Sequence, residues 1–391
     1  MKKLLISFLL LIIGIITAGC VDKTLKAEEP LTNPPQAKQA VKTSSYVYPY
    51  NAWTSTFQLC WNEFIKLVGT PKIEYISGNP PLADELNKQQ FTKDDLSEDS
   101  YYISVSKQTM KHKKEIEKAI KEKFNEKSDI LDSFQFDNVD DDKTNKWFIY
   151  SILLKNFKFI KPYALLDSQY FNNDKSQKYK YFGYTSSKDD KENQWLREKN
   201  TESLFYVNDD DFAVKFTDKD NREEMIIYLT SSDKSFDELY MEILNKNAKK
   251  NEYTKNRIKE IESKYNEPVE INFSNFYKIP FMHIDEKFNF DKELANIPIK
   301  DKTYDTTGYY WVILQTLQTV KFDMDNEGAK LKSEAAISVL NATSAMPIKR
   351  KIYINNLYYF DRPFVMYLKE KGKDKPYFAA RVKDGKYLVK E

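Results

Sequence analysis

Between Val320 and Val339 the chain reads V-K-F-D-M-D-N-E-G-A-K-L-K-S-E-A-A-I-S-V, and apolar and polar positions alternate through most of it. Val320, Phe322 and Met324 fall on one side and Lys321, Asp323 and Asp325 on the other, the period-2 pattern of a half-buried strand. Glu327-Gly328 interrupts the pattern. A second alternation follows, with Ala329, Leu331, Ser333, Ala335 and Ile337 on one face and Lys330, Lys332, Glu334 and Ser338 on the other. A loop has no reason to carry strand patterning, so this segment reads as one able to become a strand.

The same pattern predicts the other elements. Trp53, Phe57, Cys60, Trp61, Phe64 and Leu67 recur at three- and four-residue spacing, an amphipathic helix opening near Asn51 or Thr54 and stopped by Gly69-Thr70-Pro71. Lys72 to Ser77 reads as a short strand, Tyr102 to Val105 as a strand, and His112 to Phe124 as a helix with Ile116, Ile120 and Phe124 inward. Ile130 to Phe136 alternates as a strand again. Trp147 to Phe159 is a nearly continuous apolar run, as a central strand covered on both faces requires. Leu204–Val207, Phe212–Phe216 and Glu224–Leu229 are strands separated by Asn208–Asp211 and Asp218–Asn221. Ser235 opens a helix, charged helical sequence runs on to Tyr265, and Val269 to Phe276 alternates as a strand. With no regular βαβ alternation, the expected class is α+β, with Trp147 to Phe159 in the centre of a large mixed sheet.

The first residues change the picture of where this fold resides. Lys2-Lys3, an apolar run from Leu4 to Ile16 and small residues up to Gly19 form a secretory signal, too short for a comfortable membrane span. Thr17-Ala18-Gly19-Cys20 is similar to a bacterial lipoprotein box, which makes residues 1–19 a signal peptide and Cys20 the lipidated first residue. The alternative is an ordinary signal with a coincidental cysteine. Residues 20–45 are polar, carry Pro30, Pro34 and Pro35, and read as a flexible tether. From Tyr46 to Glu391 the composition supports one globular domain. Aromatics make up 15% of the chain, charged residues 31%, and the net charge is only +2, which offers no electrostatic case for nucleic acid. Acylation of Cys20 leaves Cys60 without a disulfide partner. The expected location is therefore the outer face of the membrane.

Catalytic chemistry is not expected. The two histidines, His112 and His283, sit in no metal-ligand spacing; His112 reads as solvated at the start of a Lys-rich helix, and His283 as a core or edge residue. Asp137 to Asp142 is acidic but lacks the central Gly and terminal Glu of a calcium loop, and reads as a solvated turn. There is no phosphate loop and no Gly-x-Ser-x-Gly elbow, and nine glycines in 391 residues argue against Gly-rich cofactor turns. No catalytic residue, metal or cofactor is assigned, so function is expected in surfaces or in conformational change.

Two ordered signatures resemble the serpin family: Asn326-Glu327-Gly328 with Ser333-Glu334-Ala335-Ala336, like its hinge, and Asp361-Arg362-Pro363-Phe364-Val365-Met366-Tyr367-Leu368 with Tyr377-Phe378-Ala379-Ala380-Arg381-Val382, like its closing hairpin. Asn156-Phe157-Lys158 and Met225–Leu229 add weaker likenesses, and the helix beginning near Trp53 resembles the family's first helix. The resemblance implies a serpin-like domain over residues 46–391, with smaller sheets and surrounding helices beside the large central one and the helical part reduced. Asp137–Lys146 is too short for the helix that crosses the family's central sheet, and the Ser-Pro-x-Ser core-helix signature is missing. It also implies a reactive loop within 328–350, a hinge of Glu327, Gly328, Ala329, Leu331, Ser333 and Ala335, and a scissile bond at Ala342-Thr343 rather than at the proline-blocked Met346-Pro347. The implied partner is a serine or cysteine protease, met by a monomeric inhibitor tethered to the membrane through its lipid. The alternative is a non-inhibitory binding or structural lipoprotein of the same fold, favoured by Lys330 and Lys332 in the hinge.

Overall fold

The protein is described by a computed structural model over residues 48, 50–138, 146–155, 157–185, 199, 201–265, 267–327 and 350–391. Three sheets carry the fold among these residues. The largest is wholly antiparallel, in the order β1 (Ala52–Thr54), β15 (Phe378–Val382), β14 (Phe364–Glu370), β8 (Glu223–Leu229), β7 (Asp211–Thr217) and β6 (Thr201–Asn208). Its middle strand β8, E-E-M-I-I-Y-L, is buried throughout, because both faces are covered. Met225, Ile227 and Leu229 join the core around helix α1 (Thr56–Val68), while Ile226 and Tyr228 meet Leu239, Tyr240 and Ile243 of a later helix (Phe236–Ala248). That helix starts with the capping box expected of a Ser-x-x-Glu pair: Ser235 Oγ accepts from the Glu238 amide and the Glu238 carboxylate from the Ser235 amide.

The second sheet, the central one, is mixed. Its order is β10 (Met282–Phe288), β12 (Tyr310–Met324), β3 (Lys146–Leu154) and β2 (Tyr101–Lys107), with the short β11 (Pro298–Lys300) beside the lower part of β12. Only β3 and β12 run parallel. α1 lies under the inner face. On the outer face Ile116 and Ile120 of a helix spanning Met110–Phe124 pack on Phe148, Tyr150, Ile152 and Leu317. The third sheet, β13 (Arg350–Tyr359), β9 (Val269–Pro280), β5 (Asp174–Tyr184) and β4 (Ala164–Phe171), is mixed as well, β13 running parallel to β9, and flanks the point where β12 ends. β5 and β9 approach so closely at Gly183 that a Cβ there would stand 1.9 Å from the Tyr277 carbonyl oxygen, which explains a glycine inside a strand.

The α+β class with a central mixed sheet is as expected, and several elements differ in detail. Trp53 lies on β1 rather than on the first helix, which begins after Ser55, and Leu67 points to solvent on its last turn. Lys72–Ser77 contributes one bridge, Tyr75 to Ile299, and no strand. Ile130–Phe136 is not a strand: Asp129–Ser133 forms a 3-10 turn, with Leu131 tucked against the outer face of the central sheet. β3 stops at Leu154, so Phe157 and Phe159 enter the core from the connection beyond it. His112 is half-buried rather than solvated, its Nδ1 2.9 Å from Oγ1 of the N-capping Thr109. Residues 139–145 of the segment proposed to lack a crossing helix lie outside the described residues; Asp137 and Lys146 at its ends are joined by an ion pair of 2.9 Å.

Candidate functional site

The site is the seam between β3 and β12 and the turn that leaves its upper end. Nine positions pair in parallel register, from Val312 opposite Lys146 to Lys321 opposite Leu154, with an irregularity between Ile313 and Gln315. β12 is otherwise flanked by β10, which pairs antiparallel from Gln318 to Met324. β10 is also fastened outside the sheet, through a bridge from Met282 to Leu388 and the bond from the neighbouring Phe281 amide to the Lys180 carbonyl. A chain reversing after Met324 runs antiparallel to β12 and therefore to β3 as well. Entering between them, it would replace one parallel ladder with two antiparallel ones, and parallel pairing is the slightly weaker kind.

The underside of the seam is polar at its middle. Ser151 and Gln318 are register partners over the start of α1. Thr56 Oγ1 donates to Ser151 Oγ at 3.2 Å, Gln318 Nε2 donates to the Thr54 carbonyl at 3.1 Å, and the Cys60 thiol reaches the Tyr150 carbonyl at 3.1 Å. Burial pushes that thiol well above its ordinary pKa, so Cys60 is an inert core group. Ser55 Oγ and Gln318 Oε1 are buried with no hydrogen-bond partner among the described residues, a cost of roughly 1–3 kcal/mol each. The middle of the closed seam thus rests on a polar layer. The Ser-Pro-x-Ser signature is missing from the sequence, yet Thr54, Ser55, Thr56, Ser151 and Gln318 form a polar cluster here, hidden from sequence because its members come from four separate elements, β1, α1, β3 and β12.

The two ends of the seam are fastened differently. At the lower end Trp147 and Trp311 stack with centroids 4.5 Å apart and planes 6° from parallel, flanked by Phe64. At the upper end Lys155, just beyond β3, enters a buried ionic cluster. Its Nζ contacts Glu223 and lies 3.4 Å from Glu370, while Tyr377 OH donates to Glu223 at 2.8 Å and Ser97 donates twice to Glu370 at 2.8 Å. Burial raises the Glu223 pKa, with Lys155 opposing the shift. This cluster ties the top of β3 to the six-stranded sheet.

The hinge turn is held by a reciprocal clamp. The Glu327 amide donates to Asp325 Oδ1 at 2.9 Å, the Tyr163 amide donates to the Asn326 carbonyl at 2.9 Å, and Asn326 Nδ2 donates back to the Tyr163 carbonyl at 3.1 Å. Tyr163 belongs to the connection that follows β3, so the clamp bridges the continuations of both seam strands. Of the expected hinge residues only Glu327 is described, in this turn. Gly328, Ala329, Leu331, Ser333 and Ala335, the bond Ala342-Thr343, and Cys20 lie outside the described residues. His283 stands exposed on edge strand β10, its Nδ1 2.5 Å from Asp323 across the pair. No group of three or more His, Cys, Asp or Glu among the described residues is placed to hold a metal.

No protein-family model matches the chain, and no curated protein matches it. Among solved structures it is similar to Serpin48 of the insect Tenebrio molitor, with 14% identity, 85% of this chain and 90% of that one covered, and a TM-score of 0.40. It is also similar to a tumour-suppressing serpin at 12% identity, covering 69% of this chain and 65% of that one with a TM-score of 0.36. A third is the thermophilic serpin Tengpin in its native state, at 10% identity over 70% and 63%, again with a TM-score of 0.36. The structures it is similar to are serpins. What the chain does is read from its own seam and hinge.

Proposed function

We propose that the chain is a surface-tethered, serpin-like protease inhibitor whose loop, once cleaved, enters the β3–β12 seam as a new strand. The observation that carries this is the junction itself. β12 ends in the turn at Asp325–Glu327, the sequence that follows carries strand patterning, and the parallel pair of β3 and β12 rests at its middle on a polar layer. Twenty-five residues separate Met324 from Arg350, enough to offer a protease a bond near Ala342-Thr343 while the first part of the loop keeps its link to β12. Insertion requires small inward residues, which Ala329, Ser333 and Ala335 are. Leu331 adds roughly 1.5–3 kcal/mol if the seam has room for it and costs about 1–3 kcal/mol if it does not. The partner would be a serine or cysteine protease that accepts a small residue before the cut, and the inhibitor would act as a monomer held to the membrane by lipid on Cys20.

Limited proteolysis between Val339 and Lys349 tests the reading. The two-chain product should stay associated and resist heating far better than the intact chain. A product that melts with the intact protein would transfer the assignment to the second reading, a non-inhibitory binding or structural lipoprotein, which Lys330 and Lys332 in the hinge favour.

A further inference from the structure

The structure has an apolar foot at the end of the central sheet opposite the hinge. The Ile76 amide donates to the Pro298 carbonyl at 2.9 Å and the Lys300 amide to the Glu74 carbonyl at 2.8 Å, while Pro298 pairs with Val312 and Lys300 with Tyr310. Ile76, Pro298 and Val312 therefore form one row across the bridged segment at Tyr75 and the strands β11 and β12, with Tyr310 in the next. Alternation puts their neighbours Tyr75 and Ile299 into the core, so this row faces outward. Ile76 is 39% exposed, Tyr309 42%, Tyr310 46%, and Leu67, on the adjoining last turn of α1, 45%. Four of the nine large hydrophobic residues exposed among the described residues thus gather at one end, and such gatherings mark contact surfaces. Lys300 shares the second row, and Lys302 lies at the rim, its Cδ 3.2 Å from where a Cβ on Gly69 would be.

We infer that this foot seats on the phospholipid surface to which Cys20 is anchored, an inference that rests on the tethered reading above. Three features select a membrane as the occupant. Residues 21–47 join Cys20 to the first described residue, and the tether expected from their composition would span about 30 Å on average, short enough to keep the domain against the bilayer. Two tyrosines and branched aliphatics flanked by lysines match the chemistry of the membrane interface, where aromatic rings sit at headgroup level and lysines meet anionic lipid. Finally, β12 runs from Tyr310 at the foot to Met324 at the hinge, about 46 Å at the rise of a strand. Seating the foot puts the hinge turn at the end far from the bilayer, on the side of any protease in solution.

The test is hydroxyl-radical footprinting of the full mature chain on vesicles containing anionic phospholipid. Mass spectrometry first establishes whether Cys20 is acylated. If it is not, the tethered reading fails by itself, and a maleimide phospholipid coupled to Cys20 supplies the anchor so that the foot is still tested; Cys60 is buried and does not compete. Oxidation of Tyr309 and Tyr310 should fall at least about threefold on vesicles, with Tyr170 and Tyr353 of the four-stranded sheet unchanged. In Tyr309→Ser/Tyr310→Ser, anchored identically, protection of Leu67 and Ile76 should disappear. Equal oxidation of Tyr309 and Tyr310 with and without vesicles, protection of Tyr170 and Tyr353 instead, or protection of Leu67 and Ile76 that survives the double substitution would each overturn the inference.

Discussion

If the clamp at Asn326 holds the hinge out of the seam, removing its side chain should loosen the intact protein and leave the cleaved one alone. In Asn326→Ala the amide that donates to the Tyr163 carbonyl at 3.1 Å is lost, while the backbone bond from Tyr163 to Asn326 remains. One partly buried hydrogen bond is worth about 1 kcal/mol. Over roughly 300 described residues the unfolding entropy is large, so this translates into a Tm lower by only about 1–2 °C. The kinetic consequence is easier to see. If the clamp is intact in the ground state and broken when the seam opens, losing 1 kcal/mol speeds entry of the loop about fivefold. Incubating intact protein at a fixed temperature and counting the heat-resistant fraction over time measures this directly. Asn326→Asp, which keeps the shape but sets a carboxylate against the Tyr163 carbonyl, should convert faster still. The reasoning is refuted if Asn326→Ala converts no faster than wild type, or if cleaved and intact forms lose stability equally.

Other consequences follow from the same contacts. Lys155→Met strands two buried carboxylates, Glu223 and Glu370, and should cost about 3–5 kcal/mol by urea unfolding at pH 7; a loss under 1 kcal/mol would show that the cluster does not hold β3. At Glu242, burial favours the neutral acid but hydrogen bonds from Lys234, Tyr228 and Lys246 prevail and bring the pKa down to about 2. A carboxyl depressed on folding stabilises the protein above its ordinary value, and that stability drains away as the pH falls from about 4.5 toward 2. Glu242→Gln should therefore flatten the acid limb of the stability profile, and an unchanged slope would contradict the assignment. Ser333→Arg, which would put an unpaired guanidinium inside the sheet on insertion, should abolish any heat resistance gained on loop cleavage, while Lys332→Ala keeps it; equal behaviour of the two would remove Ser333 from the inward face.

What could be read from sequence tracks how local the causes are. The helix of Met110–Phe124, the capped helix after Ser235, strands β6, β7 and β8 and the closing hairpin all carry their own periodicity or turn residues, and they form where expected. β3 was legible because both of its faces are covered. Ile130–Phe136 alternates like a strand, yet no partner strand reaches it and it closes as a 3-10 turn under Leu131, an outcome decided by tertiary neighbours. β4, β5 and β13 escaped because they border solvent with mixed Lys, Tyr and Asn, while β10, M-H-I-D-E-K-F, does alternate but is short and charged on its outer face. At the site, the hinge turn was visible from Asn326-Glu327-Gly328. The polar layer was not, since nothing in Thr54-Ser55-Thr56, Ser151 or Gln318 taken singly announces that they meet under one seam. Nor was the clamp, which joins residues 163 positions apart.

The most direct test is to lock the seam. Leu154 and Lys321 are register partners at its upper end, and neighbouring strands lie about 4.8 Å apart, within the Cα separation that a disulfide spans. In Leu154→Cys/Lys321→Cys, the loop is cleaved with the bridge oxidised or reduced and both products are melted. The account predicts that the reduced product gains marked heat resistance and the oxidised one gains only what the bridge itself confers on the uncleaved chain. Equal gains in both forms, or none in either, would show that the cleaved loop does not enter between β3 and β12.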